Sequence, residues 1–184
     1  INLGPLVNFS FQDGSASISA DGLSLFYDSD YPDGRYWNLF VVTRETTSDP
    51  WGDRVKLGPN VNKPNLNDWS PSISADGLEL YFGRGDRGQG IQVDLYVTRR
   101  ETINDVWCTA MSLGETVNTT AHEDDPAISG DGLSLYFSSN RSGGQGGTDL
   151  WVTTRSTKQD AWNDPVNLGP TINSSNDDFA PSIT

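Results

Sequence analysis

Three phrases in this chain of 184 residues are near copies of one another: "SISADGLSLFY" from Ser17, "SISADGLELYF" from Ser72 and "AISGDGLSLYF" from Ala127. Each stands 55 residues after the last (17 to 72 to 127), and a closing "SIT" from Ser182 keeps the same beat. Internal repetition at a period of 20–50 residues or slightly more is the signature of stacked supersecondary units, and it constrains the fold more than any single motif. Other landmarks share the beat within one residue. "NLFVVTR", "DLYVTRR" and "DLWVTTR" hold one slot, Trp51, Trp107 and Trp162 a second, and "KLGPNVN", "SLGETVN" and "NLGPTIN" a third. The chain therefore reads as three full repeats and the beginning of a fourth.

Each repeat reads as four short strands. The first, Ala16–Ser19 and its copies, leads into an Asp-Gly suited to a tight type I′ hairpin turn. The second covers 23–27, 78–82 and 133–137. The third covers 38–43, 94–98 and 149–153. The fourth runs from each Trp to the following Leu-Gly. In "LELYF", Leu78, Leu80 and Phe82 point one way and Tyr81 the other; in "DLWV", Leu150 and Val152 oppose Trp151. Side chains alternate along a strand, so both faces of such a sheet need cover. Copies of the sheet stacked on one another supply it. The expected fold is all-β: a β-propeller of four-stranded antiparallel blades, with blades near 16–57, 71–113 and 126–168 and an extra first strand at 179–184. No segment has helical periodicity. The 19 Gly and 10 Pro suit many turns, and six Trp, six Tyr and seven Phe concentrate the apolar burial that a hydrophobic content of 34% otherwise limits.

The segment "PAISGDGLSLYFSSNRSGGQGGTDLWVTTR" (Pro126–Arg155) resembles the WD40-like repeat of TolB-type β-propellers. It is especially similar to the long form attached to bacterial cell-envelope proteins. The third repeat follows that pattern nearly throughout. The second departs at "GRGDRGQGIQVDLYV", and the first at "DSDYPDGRYWNLFVV", where Asn38 replaces the usual Asp. The resemblance implies a binding scaffold that is periplasmic, in the cell envelope or secreted. Members also occur in peptidases and pectate-degrading lyases.

Propellers need about four or more blades to close. Three readings stay open: a piece of a longer propeller, an open arc, or a two-fold homodimer giving six blades, in which the spare last strand completes the partner's blade. The dimer is the expectation favoured here. The initial Ile reads as a processed or excised chain, and no signal peptide is visible.

A net charge of −13 argues against nucleic-acid partners and anionic membranes, because nothing neutralises phosphate. No apolar run approaches a spanning helix, so no membrane insertion is expected. Cys108 stands alone and reads as packing. The alternation of strands puts the long links on one face: 59–70 and 115–125 between repeats, and 28–37, 83–93 and 138–148 within them. That face, or the central pore beneath it, is the expected binding surface for protein or glycan. The candidate ligand-binding residues there are Trp37, Trp69, Arg84, Arg87, His122, Arg141 and Phe179. Residues shared by all repeats read as structural. Asp21, Asp76 and Asp131 serve the hairpin turns, and Asp13, Asp68, Glu123 and Asp178 accept loop N–H groups. Arg44, Arg100 and Arg155 tie blades together. No cofactor is expected. The single weak candidate is calcium at Asp28, Asp30 and Asp33, which lack a distal Glu. With His122 as the only imidazole, Ser-His or Cys-His chemistry is poorly supplied. The alternative is a carbohydrate-active hydrolase or lyase using paired carboxylates near the pore.

Overall fold

The computed structural model describes residues 7, 11–32, 34–86 and 91–183, without the side chains of residues 86 and 91. Among these there is no helix, and the twelve strands form three four-stranded antiparallel sheets. Blade 1 holds β1 (Asp13–Ile18), β2 (Ser24–Ser29), β3 (Asn38–Thr43) and β4 (Val55–Lys56). Blade 2 holds β5 (Asn67–Ile73), β6 (Glu79–Asp86), β7 (Ile91–Arg99) and β8 (Met111–Ser112). Blade 3 holds β9 (Glu123–Ile128), β10 (Ser134–Ser139), β11 (Asp149–Thr154) and β12 (Val166–Asn167). In each sheet the strands lie in chain order. This is the expected all-β propeller architecture.

Three details differ from the sequence reading. The first strands begin three or more residues earlier, because each carries a bulge, between Trp69 and Ser72 in blade 2. The fourth strands are two residues long. Cys108 N–H still donates to Arg99 O, but Ala110 N–H goes to Asn60 O in the inter-blade loop, so the chain leaves the ladder before β8. The hairpins are not type I′. Only the glycine is left-handed, at φ 72°, 71° and 74° for Gly22, Gly77 and Gly132. Gly22 N–H donates to Ser19 O at 2.8 Å, while the Asp21 carboxylate accepts from Ser19 Oγ (2.5 Å) and Leu23 N–H (2.9 Å). The aspartate thus holds the turn through its side chain, as a short polar residue does in an Asx turn.

The blades stack as two-faced sheets. From blade 1, Phe26 and Leu39 meet Ile73, Leu80, Phe82 and Trp107 of blade 2, with Leu57 and Val61 of the link between them. On the other side of blade 2, Tyr81, Leu95 and Val97 meet Ile128, Leu135, Phe137, Trp151 and Trp162 of blade 3, around Val117. Burying each such side chain is worth about 1.5–3 kcal/mol. Neighbouring residues of β6 therefore belong to two different interfaces.

The array has unlike ends. On the outer face of blade 1, Leu25, Tyr27, Phe40, Val42 and Trp51 are buried together with Val7. On blade 3 the equivalent of the covered Phe26 and Tyr81 is Tyr136, which is half-buried, as are Leu150 and Val152. Ile172 is 55% exposed, where its counterparts Val61 and Val117 are 1% and 0%. The expected strand at 179–184 joins no sheet; residues 179–183 are unpaired and Thr184 is outside the described residues. Its approach is nevertheless docked, since Asp178 N–H donates to Thr148 O and Thr148 N–H to Asp177 Oδ1. Blade 1 already contains its own first strand, β1, so it leaves no gap for a partner's spare strand. Cys108 is exposed rather than packed.

Candidate functional site

The long-loop face is built by repeated polar clamps. In each third strand an asparagine from the following link pairs with one leucine backbone. Asn118 accepts from Leu95 N–H (2.8 Å) and donates to Leu95 O (3.0 Å); Asn62 does the same at Leu39 and Asn173 at Leu150. A carboxylate closes each link. Asp68 accepts from Lys63 N–H, Glu123 from Thr119 N–H and Asp178 from Ser174 N–H, the role expected for them.

Arg84 and Arg141 act as braces and are closed to a ligand. Arg84 Nε lies 2.6 Å from Asp68 Oδ1, its Nη2 donates to Val61 O, and its guanidinium stacks on Tyr96. Arg141 pairs with Glu123 at 3.0 Å, donates to Val117 O at 2.6 Å and lies over Phe137 and Trp151. A ligand reaching either guanidinium would have to break a buried ion pair. Burial outweighs Arg84 and pushes the Asp68 carboxyl up to about 6. His122 is also internally bonded: Nδ1 accepts from Val93 N–H (3.1 Å) and its backbone N–H donates to Asn140 Oδ1. Trp37 is half-buried, with its backbone tied to Asn67 Oδ1 and Asp68 N–H. Arg87 lies outside the described residues.

Of the shared arginines, Arg44, Arg100 and Arg155 stack on the Trp of their own blade and donate to its Asp-Gly turn. Only Arg155 crosses to a neighbour, through Glu79. Two of the three calcium candidates are described. Asp28 packs against Gly14, Asp30 Oδ1 accepts from Gln12 N–H, and Asp33 is outside the described residues. No three His, Cys, Asp or Glu side chains come together as ligands among the described residues.

The remaining candidates, Trp69 and Phe179, directly precede residues that line the channel between the inner strands. This cavity of about 840 Å³ is lined by β1, β5, β9 and residues 180–183. Gly14, Trp69, Asp124 and Phe179 occupy one position of the four repeats, and the residues after Trp69, Asp124 and Phe179 are left-handed non-glycines: Ser70 (φ 50°), Asp125 (51°) and Ala180 (52°). This bulge conformation recurs despite its cost of about 1 kcal/mol or more per residue. It turns the chain into the channel. Trp69 Nε1 donates to Asp124 Oδ1 at 2.6 Å, and Ser70 Oγ to Asp125 Oδ1 at 2.8 Å. Phe179 is 53% exposed. Beside them Asp28 is 4% exposed, and its Oδ1 has no hydrogen-bond partner. Burial first, then the charges of Asp124, Asp125 and Asp13, push its carboxyl up to about 7. Glycine is required where these acids approach: a Cβ on Gly14 would stand 2.6 Å from Asp28 Oδ2, and one on Gly83 2.5 Å from Asp124 Oδ1. Sequence reasoning missed Asp124 and Asp125; the signal was available, since "HEDDP" places acids where the earlier repeats have Trp69 and Ser70.

Comparison with solved structures settles the fold. A putative TolB from Agrobacterium tumefaciens superposes with a TM-score of 0.60 at 19% identity, covering 91% of this chain and 48% of that one. This chain has a TolB-type β-propeller fold. TolB from Acinetobacter baumannii matches at 0.56 and 16%, covering 84% of this propeller and 32% of its own length. Zg3597, a family 117 glycoside hydrolase of Zobellia galactanivorans, matches at 0.57 and 12%, covering 88% and 56%. The propeller thus spans less than half the length of either TolB structure. No family model and no curated protein matches it.

Asp28 predicts a pH signature. Its folded value of about 7 stands above the ordinary value near 3.9 of an unfolded chain. The stabilisation is complete below about pH 4 and is lost as pH rises through about 7. In urea unfolding at pH 5 and pH 8, Asp28→Asn is expected to flatten the decline. It should gain up to about 4 kcal/mol over the parent at pH 8, the full value of a three-unit shift. An unchanged slope contradicts this account of Asp28.

Proposed function

We propose that the chain is a non-catalytic binding module that takes a protein or glycan ligand on the long-loop face at the channel mouth. The observation that carries this reading is Phe179, a 53% exposed ring in the position that Trp69 holds two repeats earlier, on a scaffold whose loops are fixed by buried clamps. Such rings supply contact area at small entropic cost. The commitment of His122 Nδ1 to Val93 N–H counts against imidazole-based catalysis. A location in the bacterial envelope or outside the cell belongs to the same proposal and rests on the TolB resemblance.

One observation favours a second reading, a carbohydrate-active enzyme. Asp28, raised to about 7 near Asp124 and Asp125, has the unequal carboxyl character that glycosidic cleavage uses. Glycan and peptide arrays, run beside a cleavage assay on acidic polysaccharides, separate the two. The binding reading expects a ligand whose affinity falls about tenfold in Phe179→Ala, near the upper value of one aromatic contact. Product formation that disappears in Asp28→Asn replaces it with the enzyme.

We also propose that a second copy covers the half-open face of blade 3. That face repeats the surfaces which bury Phe26, Leu39, Tyr81 and Leu95 in the two existing interfaces. Light scattering is expected to give about twice the chain mass of 20.1 kDa; a mass of one chain at tens of micromolar removes the dimer.

A further inference from the structure

At the opposite, short-turn end, blades 2 and 3 enclose a separate pocket of about 190 Å³. Its walls include Arg99, Met111, Leu113, Asp160 and Trp162. Glu79 lies behind it, accepting from Arg155 Nη2 at 2.7 Å, Arg99 Nε at 2.7 Å and Tyr81 Oη at 2.9 Å. Burial alone would raise the Glu79 carboxyl, but the hydrogen bonds from Arg155 and Arg99 outweigh it and hold it below its ordinary range. Two guanidiniums thus share one carboxylate, leaving one positive charge unbalanced.

That charge sits on Arg99. All three nitrogens of Arg155 are engaged: Nε donates to Gly132 O, Nη1 to Lys158 O and Nη2 to Glu79. Arg99 commits only Nε, and its side chain is 40% exposed, so its two terminal amino groups remain available among the described residues. Neither member of the Arg99–Glu79 pair belongs to the repeat. The equivalents of Arg99 are Thr43 and Thr154, and those of Glu79 are Ser24 and Ser134.

The other wall also breaks the repeat. In blade 1, Asp49 Oδ2 accepts from Thr46 N–H and Oγ1; in blade 2, Asp105 does so from Thr102. Asp160 keeps the backbone bond to Thr157 O, yet its carboxylate accepts no hydrogen bond among the described residues. No ion pair joins it to Arg99. A cation and an anion, each with unmet hydrogen-bonding capacity, therefore line one small pocket with an apolar wall of Met111, Leu113 and Trp162.

We propose that this pocket binds a small zwitterion, an amino-acid-like molecule. Its carboxylate is received by the terminal amino groups of Arg99 and its ammonium by Asp160, with the aliphatic linker against Trp162. Guanidinium offers paired donors matched to a carboxylate, and the positive charge that Glu79 leaves unbalanced on Arg99 favours an anionic group there. A simple anion meets repulsion from Asp160, and a simple cation meets it from Arg99. The site is independent of the long-loop face.

The test is an NMR titration of the Trp162 indole with 4-aminobutyrate, butyrate and butylammonium, repeated with shorter and longer ω-amino acids. The proposal expects a saturable shift with at least one ω-amino acid, and at least tenfold weaker binding of the two singly charged analogues. Arg99→Gln and Asp160→Asn should each weaken the zwitterion at least tenfold, and Asp160→Asn should improve butyrate. Absence of any saturable shift overturns it. So does butyrate binding as well as 4-aminobutyrate, or an Asp160→Asn variant that binds the zwitterion unchanged. Asp160 is exposed and outside the buried network, so that variant decides the matter even if Arg99→Gln fails to fold.

Discussion

Everything in this structure depends on sheets that are apolar on both sides. Leu80 and Phe82 turn toward blade 1 while Tyr81, between them, turns toward blade 3. A sheet of this kind cannot keep one face in water without losing the burial that holds it together. Stacking is the consequence, and the polar parts are arranged around it. The Asn62, Asn118 and Asn173 clamps satisfy the first backbone groups of the third strands, which would otherwise be buried without partners where the links pass over them. Blade 2, covered twice, is the centre of the array. Blade 3, covered once, is its unfinished end.

The repeat made the fold legible because a 55-residue period and two-sided strands leave few other ways to bury so many rings. The short fourth strands were not legible. In blade 2 the shortness depends on Ala110 N–H choosing Asn60 O over β7, a contact between segments far apart in sequence. The turn type was half legible: Asp-Gly marked the place, but the carboxylate of Asp21, rather than its backbone dihedral, does the holding.

The site was less legible, for a reason that the arginines illustrate. A residue unique to one repeat invites a functional reading. Arg84 and Arg141 are not equivalent positions, since Ser139 and Asp86 are their counterparts, yet each reaches the carbonyl of the equivalent Val61 or Val117 and the equivalent acid. Arg54 approaches the matching carbonyl of Val7 at 3.4 Å from a third position. The repeats conserve the contact in space while letting its donor move along the chain. Uniqueness in sequence was thus a sign of structural substitution at these arginines. At Arg99 it accompanies a side chain that is 40% exposed.

Native-state hydrogen exchange, read strand by strand, tests the stacking account most directly. Mutual cover predicts the slowest exchange in Glu79–Arg84 and Asp94–Arg99 of blade 2, and markedly faster exchange in the equivalent β10 and β11 of blade 3 for the chain held as a monomer, although each stretch forms six ladder pairs. Equal protection in the two blades, or slower exchange in blade 3, would show that each sheet is stable without its neighbours and would contradict the account.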